Sequence, residues 1–176
     1  MKRIIAILAI VALLAACALA EGGFALREGV AWGMTRQQVL DAEGNPQAEA
    51  DHEAGFDILE IEDAALYDSV CDLEYFFRND ALVACACDFD AGGGQADFAR
   101  LNEALTGQYG AALEPDTERW HLLEDILDGE MESRSIGSYA CWQPEDGTFV
   151  ALVEDAGDGD VGLYFYNETA IIETAL

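Results

Sequence analysis

The chain has 176 residues, 52% of them hydrophobic and only 3 of them proline, which is the composition of a globular protein rather than a disordered one. Acidic side chains outnumber basic ones 35 to 8, for a net charge of −27. A surface of that sign repels nucleic acid and anionic lipid headgroups, so neither is expected as an electrostatic partner.

Met1-Lys2-Arg3 precedes an apolar run from Ile4 to Ala16. The run falls short of the roughly 20 residues that cross a bilayer. With its basic flank and the small residues after it, it has the proportions of a signal peptide over residues 1–20, so the protein is expected to be exported. Two processing routes are open. Leu14-Ala15-Ala16-Cys17 resembles the lipobox of bacterial lipoproteins, which makes Cys17 the lipid-attachment residue. Ala18-Leu19-Ala20, before Glu21, is an A-x-A site for simple release. The first, preferred, gives a membrane-anchored lipoprotein and the second a secreted protein. Loss of Lys2 and Arg3 with the signal takes the net charge from −27 to −29 and leaves no lysine.

The folded domain is expected over residues 24–176. Thr35 and Gln38 have the spacing of a capping box. Val39, Leu40 and Ala42 then supply an apolar stripe, and Gly44-Asn45-Pro46 ends the helix. Ile58, Leu59 and Ile61 mark a first strand. Cys71, Leu73, Tyr75 and Phe77 alternate on a second, and Val83, Cys85, Cys87 and Phe89 on a third. Arg78-Asn79-Asp80 is the turn of a hairpin. A three-residue loop places Cys71 opposite Cys87, the favoured register, and a two-residue loop sends Cys71 to the other face. After a glycine break, Asp97 is placed to cap a helix whose face is Phe98, Leu101, Leu105 and Tyr109. Trp120, Leu123 and Leu127 suit a short helix. Three strands follow, Ser138 to Gln143, Thr148 to Glu154 and Val161 to Asn167, separated by acidic glycine turns.

The expected fold is therefore α+β. Two tandem units, about 32–90 and about 97–167, each run helix then three strands and join into one antiparallel sheet with helices on one face. Gly33-Met34-Thr35, Gln38-Val39, Gly44 and Pro46 resemble the G-M-T-x-x-Q-V-x4-G-x-P signature of the SmpA/OmlA family of small envelope lipoproteins. The resemblance implies a compact module that binds other envelope proteins without catalysis. Tandem doubling is similar to the β-lactamase inhibitor proteins, which bind an enzyme on the concave face of their sheet.

No catalytic set stands out. The two histidines, His52 and His121, lie in no recognisable nucleophile context, and no G-x-S-x-G elbow occurs. The run from Glu154 to Asp160 is rich in acid and glycine but fails the spacing of an EF-hand, so a solvated hairpin loop is expected there. No zinc spacing or phosphate-binding loop is present, so neither metal nor cofactor is expected. Cys71, Cys85, Cys87 and Cys141 leave buried thiols and disulfides both open, with Cys71–Cys87 the pair singled out.

These readings point to a non-catalytic exported interaction module of the bacterial cell envelope. Its partner would be another envelope or extracellular protein, with membrane contact only through a lipid. The alternatives are a secreted proteinaceous enzyme inhibitor and an enzyme with an unrecognised site. If helices cover one sheet face only, Val150, Leu152, Leu163 and Phe165 meet them. Phe149, Tyr164, Tyr166 and Trp142 then line the open face as the candidate interaction surface.

Overall fold

A computed structural model of the chain describes residues 27, 29–44, 46–89, 95–128, 136–144 and 147–173. Residues 1–20, expected to be a signal peptide, and Cys17 within them lie outside the described residues. Among those described, no helix is long and apolar enough to cross a membrane.

The first helix, α1 (Arg36–Ala42), forms where its capping box dictates. The Gln38 N–H donates to Thr35 Oγ1 at 3.3 Å and the Thr35 N–H to Gln38 Oε1 at 2.9 Å, which satisfies two N–H groups that the helix leaves orphaned. Val39 is fully buried. The approach to the cap is fixed by two backbone bonds, Gly33 N–H to Leu82 C=O and Leu82 N–H to Met34 C=O, at 3.0 and 2.9 Å.

Four strands follow as a meander: β1 (Glu49–Glu53), β2 (Phe56–Leu66), β3 (Ser69–Arg78) and β4 (Ala81–Phe89). Their three hairpins turn on Ala54-Gly55, Tyr67-Asp68 and Asn79-Asp80, every one of which has positive φ. Two such residues match the twist of the flanking strands. The last loop is thus two residues, not the favoured three. Cys71 nevertheless shares a face with Cys87, because the register shifts by one at a bulge between Leu82 and Ala84. Leu73 pairs with Cys87, leaving Cys71 on the diagonal.

Helices α2 (Gln95–Tyr109) and α3 (Thr117–Asp128) come next, then β5 (Ile136–Trp142), β6 (Thr148–Asp155), β7 (Val161–Asn167) and a short α4 (Glu168–Ile172) capped by Asn167. Helix α2 begins at Gln95, so Asp97 lies within it rather than capping it. The seven strands form one antiparallel sheet in the order β1-β2-β3-β4-β7-β6-β5, the two meanders meeting where β4 pairs with β7. The architecture is α+β.

Helices cover both faces of this sheet, which corrects the expectation of one. On one face Val39 of α1 and Leu101 and Leu105 of α2 share a core with Leu73, Leu152, Leu163 and Phe165. On the other, Trp120, Leu123 and Leu127 of α3 and Ile171 of α4 share a core with Phe149, Ala151, Tyr164 and Tyr166. The cause is visible in the strands. Residues 149–153 of β6 and the first six residues of β7 are apolar or small on both sides, and a strand of that kind is stable only when covered twice. At about 25 cal/mol per Å², leaving one of those faces open would forfeit several kcal/mol.

Candidate functional site

The aromatic face expected to bind a partner is covered. Phe149 is 0%, Tyr166 1% and Tyr164 7% exposed. The Trp120 ring of α3 lies over Tyr164 at 5.9 Å, and Tyr164 stacks on Tyr166 at 6.2 Å. The Arg119 guanidinium sits 4.4 Å above Phe149 while its Nε donates to Glu168 Oε1 at 2.6 Å, tying α3 to α4. Trp142, also buried, belongs to the opposite face, where its Nε1–H donates to the Gly110 carbonyl at 3.2 Å. These four residues are core and form no docking surface.

The histidines are not brought together. His52 is exposed on the edge strand β1, with Nδ1 3.0 Å from Asp57 Oδ1. His121 packs beside Trp120 on α3, ring centroids 4.7 Å apart. In the turn from Asp155 to Asp160, the Asp155 and Asp158 carboxylates accept from the N–H groups of Gly157 and Asp160, and Glu154 is buried against the Ser138 hydroxyl at 2.6 Å. That is a self-capped hairpin loop whose first acid, Glu154, is buried rather than solvated as expected. Among the described residues no group of His, Cys, Asp and Glu is arranged to hold a metal ion.

What the structure does assemble is an acidic sheet face. Beyond the reach of α3, the face of β1, β2, β3 and β4 that carries Phe56, Ile58 and Phe76 continues into carboxylates. Glu49 stands directly opposite Glu60, Glu60 opposite Glu74, and Asp72 opposite Asp88. Glu49, Asp72 and Asp88 are exposed, and Glu60 and Glu74 half-buried. The Glu60 carboxyl is held above its ordinary pKa, first by burial and then by repulsion from Asp72, Glu49, Glu62 and Asp51. Like charges facing one another across strands destabilise a sheet. A fold that keeps several such pairs on one face holds a negative potential there at some cost in stability.

The face is also shaped. A bulge between Ile61 and Ala64 turns Glu62 and Asp63 to the rim of a depression of about 320 Å³, whose lining includes Asp72, Asp88 and Val70. Val70 is 59% exposed, an apolar knob among acids. Nearer α3, a cavity of about 50 Å³ lies between Glu74, Glu124, Phe76 and the edge of Tyr164. Sequence reasoning missed this face because 35 carboxylates conceal any particular cluster, and only the register lines these up.

Fold and face together define an α+β protein built on one antiparallel sheet, its central strands covered on both sides and one end open and acidic. Compared with known proteins, the chain matches no family model, no curated protein and no solved structure.

Proposed function

We propose that this chain is an exported, non-catalytic interaction module of the bacterial cell envelope that binds a basic surface of another envelope protein through its acidic sheet face. The observation that carries the reading is the cross-strand stacking of Glu49, Glu60 and Glu74 and of Asp72 and Asp88. A cationic partner relieves that repulsion on binding and is steered towards it at long range. Val70 supplies apolar contact beside the carboxylates of the same surface.

The tandem reading, and with it the likeness to SmpA/OmlA modules, draws support from the topology. α1 and α2 each precede a meander, both pack on the same face, and the last strands of the two meanders, β4 and β7, lie side by side and antiparallel. A two-fold axis normal to the sheet relates units arranged in that way. Helices α3 and α4 are then additions to the second unit on the far face. The signal peptide of residues 1–20 and lipidation at Cys17 complete the proposal and set the module at a membrane surface.

The test is in-cell cross-linking of the full chain followed by identification of its partner, repeated with Glu60→Gln, Glu74→Gln, Asp72→Asn and Asp88→Asn combined. A control variant neutralises four exposed acids elsewhere. Loss of the partner in the first variant alone, at unchanged membrane localisation, is the expected result. Equal retention by both variants overturns the assignment of this face.

A further inference from the structure

Four cysteines among the described residues, Cys71, Cys85, Cys87 and Cys141, are free and buried. Three of them converge. Cys71 on β3 and Cys85 and Cys87 on β4 point into the same core, on the face covered by α1 and α2. The Cys71 thiol donates to the Ala64 carbonyl at 3.6 Å and the Cys85 thiol to the Ala86 carbonyl at 3.9 Å, and both are close enough to Cys87 to perturb it, so Cys87 stands at the centre of the group. We propose that Cys71 and Cys87 are a disulfide-forming pair, with Cys85 the unbridged third thiol.

The choice among the three follows from geometry. Cys85 and Cys87 lie two apart on one strand, so their Cα atoms are about 6.8 Å apart with side chains running parallel. Side chains that run parallel point past one another, which is the wrong direction for a bridge. Cys71 instead reaches Cys87 from the neighbouring strand, diagonally past Leu73. The bulge between Ile61 and Ala64 interrupts the β2–β3 ladder beside Cys71, leaving slack for the small shift that an S–S bond requires. The strands are meanwhile fixed from above. Arg100 of α2 donates to the Tyr67 carbonyl and to the Ser69 hydroxyl, and Tyr67 OH donates to Gln108 Oε1 at 3.1 Å. The β2–β3 turn is therefore clamped to α2 just two residues before Cys71.

Burial holds the Cys85 and Cys87 thiols above their ordinary pKa, and the contact with Cys87, then burial, does the same for Cys71. The pair is thus a poor nucleophile once folded, and the bond is made while the sheet is assembling. The oxidant is a disulfide donor, a protein dithiol oxidase in an oxidising bacterial envelope and oxidised glutathione in vitro. One cysteine thiolate attacks it and expels one thiolate of the donor. The other cysteine then attacks the mixed disulfide and expels the second. Two protein thiols become one disulfide, and the two electrons and two protons they give up appear in the donor's two thiols.

The experiment uses the full chain carrying Cys17→Ser, refolded from urea with oxidised and reduced glutathione. Four thiols before oxidation and two after it are expected, counted in denaturant without reductant. Trypsin cuts after Arg78, so the bridge should join peptide 37–78 to peptide 79–100. Cys85→Ala keeps that link. Cys87→Ala loses it, with circular dichroism to show that the sheet is intact. Cys71→Ala serves as a second variant and should leave three free thiols. Four thiols surviving refolding, a link to the peptide carrying Cys141, or a link retained in Cys87→Ala and lost in Cys85→Ala overturns the proposal.

Discussion

Replacing Glu60 by Gln should stabilise the protein. Glu60 is half-buried in β2, with Glu49 directly opposite on one side, Glu74 on the other, and Asp72 on the diagonal. Each like-charge pair facing across strands costs about 0.2–1 kcal/mol, so removing one member of two such pairs returns about 1 kcal/mol at low ionic strength. For a domain of this size that raises Tm by about 2–4 °C. The gain should shrink in ~1 M salt, where the Debye length falls to about 3 Å. The sign of the pH effect follows from the raised pKa of Glu60, which means that the folded state binds this proton more tightly than the unfolded state. Protonation of Glu60 therefore stabilises. The contribution is fully present below the unfolded-state pKa and is lost as pH rises through the folded-state value. Wild type should gain stability as the pH is lowered from neutral towards that value, and Glu60→Gln should lack this contribution. Urea unfolding at two salt concentrations and across that pH range measures all three effects. A loss of stability at low salt, or a gain undiminished by salt, refutes the repulsion argument.

Two further substitutions probe the scaffold. Trp120→Ala removes the largest fully buried side chain that α3 contributes to its core and should cost about 3–5 kcal/mol, read as a lowered urea midpoint; a cost under 1 kcal/mol would mean that α3 does not hold that face closed. Thr35→Ala deletes one half of the capping box and should cost about 1 kcal/mol by the same assay, with Thr35→Ser restoring most of it.

The parts of this fold that were legible in the sequence are those governed by local rules. The Thr35/Gln38 cap and the Leu101/Leu105 stripe each specify a helix from a few neighbouring residues, and alternation from Cys71 to Phe77 specifies a strand. β1 was not legible because Glu49–Glu53 is exposed throughout and polar apart from Ala50, with no alternation to detect. The β4 bulge was not legible either. It is visible only against the partner strand, yet it decides which face Cys85 and Cys87 occupy. The doubly apolar β6 and β7 were read correctly as residues and wrongly as surface, since a strand with two apolar faces signals two covers rather than one binding face. The acidic site was the least legible. It is built from like charges brought opposite one another by register, and composition hides such a pattern in a chain this acidic.

The ladder between β4 and β7 has a kinetic meaning. Within each meander the hairpins close over short connections, and they form on the microsecond scale typical of hairpins. β4 and β7 pair from Ala84 with Tyr166 to Phe89 with Val161, across the whole length of α2, α3, β5 and β6. Closing that long loop costs about 3 kcal/mol more entropy than closing a two-residue turn. A chain synthesised amino terminus first can complete β1 to β4 before β7 has been released. Until β7 arrives, the backbone edge of β4 stays open to any other strand, including the β4 of a second copy. Joining the two meanders is therefore the step at which this protein competes with its own aggregation.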